Sequence, residues 1–458
     1  MDPEAPVASL LARVPPDVLG LCSRLREVGR RGWIVGGCVR DLLRGQPVND
    51  WDVATDARPK EVMRAFPRVI PTGIEHGTVT VLLAGVPYEV TTLRGETTYS
   101  DGRRPDAVTF VDDISADLAR RDFTVNAIAI DPVDGHLIDP WGGRRDLAAG
   151  VLRAVGDPLQ RFSEDGLRPL RAARFAATLG YEIEPATLSA VGQTLATYRK
   201  VSAERIRDEW LKAMKAPRPS RAFEVMRITG LLEATLPEMM PSIGCEQNRW
   251  HAFDVWGHAM ACLDACQGDV ILRMAALLHD IGKPRTRAIG DKTGDFTFYE
   301  HERVGAEMVA PVLTRLRFSN DERSRIVDLV RHHLVCYSSA WSDAAVRRWI
   351  RRVGRPRVED LYELHRADSL GKGVEVSAEL ASLAELQARV AAVLAAGDAL
   401  GTKDLAVDGG VLMRELGLRP GRAIGELLEA LLEQVIDDPT QNERERLLAL
   451  ARDRLARG

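Results

Sequence analysis

Every convincing β-strand signal in this 458-residue chain falls within about its first 150 residues, and beyond Gly156 the sequence reads as helix after helix. Residues 18–31 carry apolar positions at helical spacing, after which Gly32-Trp33-Ile34-Val35-Gly36-Gly37 reads as a buried strand ending in a glycine turn. Residues 77–83 and 88–93 read as two strands joined through Ala84-Gly85-Val86-Pro87, and the alternation in DFTVNAIAI, residues 122–130, predicts another. An all-β sandwich or barrel is disfavoured by this layout and by the 5% aromatic content. The expected class is α+β, with Gly and Pro punctuation dividing the chain into 1–150, 151–240, 241–375 and 376–458. Residues 378–400 read as a packed Ala/Leu-rich helix.

A formal charge of -4 excludes a uniformly basic nucleic-acid binder, so any polyanion must be met by local patches. The six cysteines form no CxxC pair, as expected of reduced thiols. The N-terminus resembles neither a signal nor a transit peptide, and no apolar run approaches the ~20 residues of a membrane span. A cytoplasmic protein is therefore expected, with no membrane association and no protein partner identifiable.

Chemistry first appears at Gly36-Gly37-Cys38-Val39-Arg40-Asp41. A glycine turn there opens a helix whose backbone N–H groups, with those of Arg40, can meet a phosphate. Nine residues on, Asp50-Trp51-Asp52 directs two carboxylates to one face of a strand, where they must repel or share a cation. Oxygen ligands beside a phosphate-binding turn suit magnesium. Glu89, on the 88–93 strand, is the candidate third carboxylate.

This combination resembles the DNA polymerase beta-like nucleotidyltransferases, and more narrowly the class II tRNA nucleotidyltransferases (CCA-adding enzymes) and bacterial poly(A) polymerases. The resemblance implies a head with a mixed sheet, an all-α neck, an HD domain and a helical tail. It implies that Asp50 and Asp52 bind Mg2+ and act in catalysis, and that Gly37, Arg40 and Arg121 contact the nucleotide. Arg120-Arg121-Asp122-Phe123-Thr124-Val125-Asn126 looks like the family's sugar-contacting motif, with Arg121 favoured for contact and Arg120 for solvent or tRNA phosphate. The stretch from Arg161 to Phe175 resembles the motif in which protein side chains replace a nucleic-acid template, with Asp165 and Arg168 reading the base and Arg171 and Arg174 contacting the nucleotide. Asp165 only accepts and Arg168 only donates, which matches the exocyclic amine and bare ring nitrogen of cytosine and adenine. Guanine and uracil present carbonyl and ring N–H instead. Pro169 removes an N–H and threatens the regularity of this helix. Residues 202–206, SAERI, look like a brace for it, and residues 93–105 like the loop used in switching from C to A addition.

A second constellation begins at His279-Asp280-Ile281-Gly282-Lys283-Pro284, at the end of an apolar helix where a buried carboxylate demands a partner. The order His258, His279-Asp280, His301, His332-His333, Asp368 resembles the HD phosphohydrolases. His258, His279, Asp280 and Asp368 are the implied ligands of a divalent transition metal (Mn, Ni, Fe or Zn), with His301 and His332 or His333 as additions of a dinuclear site; His365 reads as a helix-surface residue. Arg347, Arg348, Arg351, Arg352, Arg355 and Arg357 form a candidate track for RNA phosphates.

Together these imply a tRNA nucleotidyltransferase that adds CCA, or its terminal part, from CTP and ATP, joined to a phosphohydrolase domain. The alternatives are an A-adding enzyme or poly(A) polymerase, and an enzyme acting chiefly as an RNA 3'-end phosphohydrolase.

Overall fold

A computed structural model describes residues 6–95, 109–291 and 294–457. Most of the 93–105 loop lies outside them. The chain divides into two compact units, Met1–Pro237 and Glu238–Gly458.

In the first unit, helix α1 (Pro16–Glu27) starts on a proline and buries Val18, Leu21, Cys22 and Leu25, one face of a 3.6-residue repeat. Strand β1 (Gly32–Val35) is buried throughout and leads through Gly36 into α2 (Gly37–Leu43). Then come β2 (Asp52–Thr55), β3 (Val69–Gly73), β4 (Thr78–Leu83), β5 (Val86–Thr92), α3 (Ile114–Ala119), β6 (Ala129–Asp131) and β7 (His136–Ile138). They form one mixed seven-stranded sheet in the order β3-β4-β5-β2-β1-β6-β7. Ala84 and Gly85 both take positive φ, the geometry of the two-residue hairpin turn that matches strand twist. That turn sets Leu83 opposite Val86, and β5 then runs parallel to β2 with Asp52 level with Glu89.

The strand expected over 122–130 is shorter than its alternation suggested. Residues Thr124–Asn126 form a 3-10 turn and only Ala129–Asp131 joins the sheet. The cause is side-chain bonding: Asp122 accepts from Asn126 at 3.0 Å, and Asp146 accepts from the Thr124 hydroxyl at 2.7 Å.

Helices α4 (Pro158–Glu164), α5 (Leu167–Leu179) and α6 (Ala203–Ala213) follow. Asp165 and Gly166 break the chain between α4 and α5, where a Cβ on Gly166 would stand 2.4 Å from the Thr197 carbonyl oxygen. Pro169 does not disturb α5. It is the third helical residue, where no N–H is needed by the intrahelical ladder. Phe175 of α5 packs edge-on against Phe123, ring centroids 5.6 Å apart, joining neck to head.

The second unit is helical apart from a short hairpin, Ala288–Ile289 with Phe296–Thr297, that the sequence did not suggest. Its helices include α7 (Val255–Ala265), α8 (Val270–Leu278), α9 (His301–Arg315), α10 (Asn320–His332), α11 (Asp343–Val353), α12 (Val358–Gly371), α13 (Ser377–Ala396) and α14 (Arg422–Asp437). Asp254 and Asp269 cap α7 and α8 through their carboxylates. No described helix is long and apolar enough to cross a membrane.

Candidate functional site

The β2–β5 register places Asp52 and Glu89 side by side on the wall between two cavities. The first, of about 350 Å³, is also lined by Arg120, Arg121, Asp165, Arg168 and Arg171. The second, of about 780 Å³, adds Asp50, Trp51, Pro15 and Val86. None of Asp50, Asp52 and Glu89 has an ion-pair partner among the described residues. Burial raises the Asp52 pKa, Arg121 opposes the rise, and Glu89 and Asp50 add to it. Three unneutralised carboxylates beside a cationic cavity fit a hard divalent cation, which is commonly held by one or two carboxylates plus substrate phosphates. Gly36 is needed here: its φ is +82°, and a Cβ would fall 2.7 Å from Arg121 Nη1.

Two arginines on the phosphate side are placed differently from expectation. Arg40 does not line the cavity; its guanidinium donates to both Asp41 oxygens and to Asn126 Oδ1 at 2.8 Å, so it braces the sugar-contacting motif. Gly37 begins α2 and likewise lies outside the lining. Arg120 is not turned to solvent. It pairs with buried Asp117 at 2.6 Å and lines the same cavity as Arg121, which reaches Asp117 at 3.4 Å. Asp117 was missed, although its i,i+3 and i,i+4 spacing to the two arginines was visible.

The pair expected to read the base is held from two sides. Asp165 accepts from Arg205 Nη2 at 2.9 Å, so the SAERI segment braces it. Arg168 donates to Glu164 at 2.5 Å and to the backbone oxygens of Arg161 and Arg120. Arg171 bonds Asp122 at 2.6 Å and remains on the cavity wall. Arg174 does not. It pairs with buried Glu209 at 2.5 Å and lies 3.8 Å over the Phe175 ring, a structural bridge in place of the expected nucleotide contact. Glu209, a half-turn partner on α6, carried no signal in the sequence.

Burial alone would raise the Asp122 pKa, but Arg171 and then the Asn126 amide hold it well below the usual carboxylate range. Such a group contributes stability fully above its unfolded pKa of about 4 and loses it as pH falls toward the depressed folded value. Asp122→Asn is expected to cost about 2–3 kcal/mol at pH 7, at the low end for a broken buried pair because Arg171 keeps some solvent. Urea unfolding of the first unit should show that difference shrinking below about pH 4.

In the second unit, two groups of ligand-type atoms each lie within 4.8 Å of one another: His258, His279 and Asp280, and Asp280, His301 and His333. Asp280 serves both. Asp368 Oδ1 lies 3.0 Å from His258 Nε2 and 3.7 Å from His279 Nε2. His279 ends α8, and a Cβ on Gly282 would stand 2.2 Å from the His301 carbonyl oxygen, so glycine permits the approach of α9. His279, His301 and His333 each point Nδ1 at a backbone oxygen, of Ala276, Phe298 and Val330. Nδ1 therefore carries the proton in the neutral ring and Nε2 is a bare lone pair. The Nε2 atoms of His301 and His333 face each other at 3.2 Å, an arrangement that calls for a cation. Burial, then the neighbouring imidazoles, push the His333 pKa down to about 3, which favours the neutral ring.

His332, the alternative, is half-buried and belongs to neither group. His365, read as a helix-surface residue, is half-buried on α12, with its Nδ1 enclosed and without a hydrogen-bond partner. The sequence suggested no role for His251 or for Lys283 of the HDIGKP motif. The His251 ring packs edge-on to His258 at 5.1 Å, and Lys283 Nζ lies 2.6 Å from Asp280. Lys283 stood three residues after Asp280, a spacing that could have flagged it.

The arginine track is already neutralised at several positions. Arg347 is buried and pairs with Asp398 at 2.8 Å, Arg348 pairs with Glu433 and Asp437, and Arg351 with Glu433 and Glu429. Arg357 lies 3.4 Å from Asp328. Only Arg352 and Arg355 of the six keep exposed head groups without a carboxylate partner among the described residues.

Comparison with known proteins finds matches in both units. Residues 32–153 match the poly A polymerase head domain, 180–243 a "probable RNA and SrmB-binding site of polymerase A", and 251–373 the HD domain. A CCA-adding enzyme of Limosilactobacillus fermentum is 35% identical over 94% of this chain and 95% of its own length. The chain belongs to the CCA-adding enzyme family. Within this family, the crystal structure of the Bacillus stearothermophilus CCA-adding enzyme in complex with CTP is 28% identical and covers 97% of this chain and 98% of its own, with a TM-score of 0.74. An A-adding tRNA nucleotidyltransferase of Deinococcus radiodurans is 36% identical over 87% of this chain and 90% of its own length.

Proposed function

We propose that the protein is a tRNA nucleotidyltransferase that builds the CCA end of tRNA from CTP and ATP, using one nucleotide chamber for both. The observation that carries this reading is the shared wall. Asp52 and Glu89 stand between a cavity holding the base-reading and cationic side chains and a second cavity open to Asp50. The tRNA 3'-hydroxyl attacks the α-phosphate, a new P–O bond forms, and pyrophosphate leaves. Asp50 and Asp52, with Glu89 beside them, would hold magnesium, which when bound would supply the Lewis acidity of phosphoryl transfer. Arg121 and Arg171 neutralise the nucleotide's charge, while Arg40 and Asp117 position the side chains that touch it. Asp165 accepts from the exocyclic amine of C or A and Arg168 donates to the adjacent ring nitrogen. The working division is a head at 1–150, a neck at 151–240, an HD domain at 241–375 and a tail at 376–458. Six free cysteines fit a cytoplasmic setting.

The test uses tRNA transcripts ending before CCA, after C and after CC, each offered one labelled nucleoside triphosphate at a time. Addition of C, C and then A supports the reading; addition of A alone, only to transcripts ending in CC, identifies an A-adding enzyme, and a long A tail a poly(A) polymerase. In the same assay Asp165→Ala is expected to reduce the preference for C and A over U and G by about 5- to 100-fold, the equivalent of one buried mismatch. Unchanged selectivity would refute the template role.

The facing imidazoles favour a second activity. His258, His279, Asp280 and Asp368, with His301 and His333, would hold one or two divalent transition metal ions, and bound metal supplies the activation of water for hydrolysis of a phosphate ester. Lys283 beside Asp280 offers a cation to the phosphate.

A further inference from the structure

Phe175 is 5% exposed, yet it is packed among cations. The guanidinium carbons of Arg174, Arg171 and Arg40 lie 3.8, 5.3 and 5.4 Å from its ring centroid, all within reach of a cation–π contact. Arg171 and Phe175 stand four residues apart on α5 and so share a helix face, while Arg40 arrives from α2. Hydrogen bonds link those two arginines into a circuit. Arg40 donates to Asn126 Oδ1 at 2.8 Å, the Asn126 amide donates to Asp122 Oδ1 at 3.0 Å, and Arg171 Nε donates to Asp122 Oδ2 at 2.8 Å. Both ends of this chain meet on the Phe175 ring.

An aliphatic side chain could fill the space against Phe123, but it would desolvate the three guanidinium groups and return nothing. That cost is visible at Arg174, whose pKa burial lowers even with Glu209 beside it. The negative face of an aromatic ring attracts a cation without dictating one direction for its N–H groups. Glu209 fixes Arg174, and Asp41 with Asn126 fixes Arg40. Arg171 is the member that lines the nucleotide cavity, and its second carboxylate, Glu209, stands back at 3.8 Å. We infer that Phe175 is a positioning residue for nucleotide binding: its ring holds the Arg171 guanidinium at the cavity wall, aimed at the phosphates, and locks it to Arg40 of the glycine-turn helix. Phe175 does not itself line the cavity. The inference rests on reading that cavity as the nucleotide chamber.

The experiment places 4-fluoro-, 3,5-difluoro- and 3,4,5-trifluorophenylalanine at position 175 of the full chain, with Phe175→Leu as a fourth variant. Fluorine drains the negative face of the ring in steps and barely alters its shape, so packing is held constant while the attraction for cations falls. KM for CTP, measured by addition to a tRNA transcript ending before CCA, is expected to rise with each fluorine, reaching about fivefold at three, with kcat little affected. Phe175→Leu should raise KM at least as much. A constant KM across the fluorinated series would overturn the inference and leave Phe175 a packing residue, whatever Phe175→Leu does to stability. If the wild-type protein adds no nucleotide, the nucleotidyltransferase reading fails, and calorimetric binding of CTP to the same series decides the role of Phe175. Binding that weakens with each fluorine upholds it. Equal binding, or no binding of CTP by the wild type, overturns it.

Discussion

Asp52→Ala is expected to lower nucleotide addition by at least about 1,000-fold while tRNA still binds, because several kcal/mol of charge stabilisation in the transition state would be lost with one carboxylate. Asp52 is the only one of the three carboxylates that lies two residues from Asp50 and level with Glu89 across the β2–β5 pair. Its removal also takes away one of the charges near Arg121, which keeps Asp117 at 3.4 Å. Asp52→Asn separates the two effects: it keeps the side-chain shape and removes the anion, and it should be nearly as inactive. Single-turnover addition of labelled CMP measures the loss, and a gel shift with tRNA measures binding. Retained addition in either variant would sink the metal assignment. Asp50→Ala should behave in the same way.

The second large effect is expected at Asp280. One Asp280 oxygen lies 3.2–3.3 Å from the Nε2 atoms of His279 and His258, and the other 3.3 Å from that of His301. Loss of a single ligand usually leaves a weakened metal site. Loss of a carboxylate that belongs to both groups should empty both. Asp280→Asn is therefore expected to abolish metal retention and any phosphatase or cyclic phosphodiesterase activity. Lys283 would lose its anionic partner, although its bond to Gln247 at 2.7 Å remains. Metal content by mass spectrometry and hydrolysis of 2',3'-cyclic AMP are the measurements. A variant that keeps its metal would show that Asp280 is not shared. Nucleotide addition to tRNA provides the internal control, since the carboxylates proposed for that reaction all lie in the first unit.

The residues that were legible in the sequence are those whose role depends on neighbours in the chain. Asp50 and Asp52 alternate around buried Trp51, and His279-Asp280 ends an apolar helix. The hairpin at Ala84-Gly85 follows from local turn chemistry. Readings failed where a distant partner decides. Arg174 looked like part of a nucleotide-binding ribbon until Glu209, 35 residues on, paired with it. Arg348 and Arg351 looked like a phosphate track until α14, some 80 residues later, supplied its carboxylates. His332 and His333 were indistinguishable in one dimension. Packing of α10 against α8 turns the second inward, and period counting does not see that choice. The alternation in residues 122–130 does not persist as a burial pattern, since all nine residues are buried, and hydrogen bonds accepted by Asp122 and Asp146 replace part of the ladder it implied.

The pairing of α11 with α14 changes how ionic strength would act on this protein. A phosphate that reached Arg347, Arg348 or Arg351 would have to evict a carboxylate and leave that anion unpaired, which disfavours the contact and so the neutralisation of a phosphate there. These arginines should thus add little to the slope of log affinity for tRNA against log salt. Charge reversal at Arg351 should loosen α14, and make the chain susceptible to proteolysis there, before it changes the affinity for RNA.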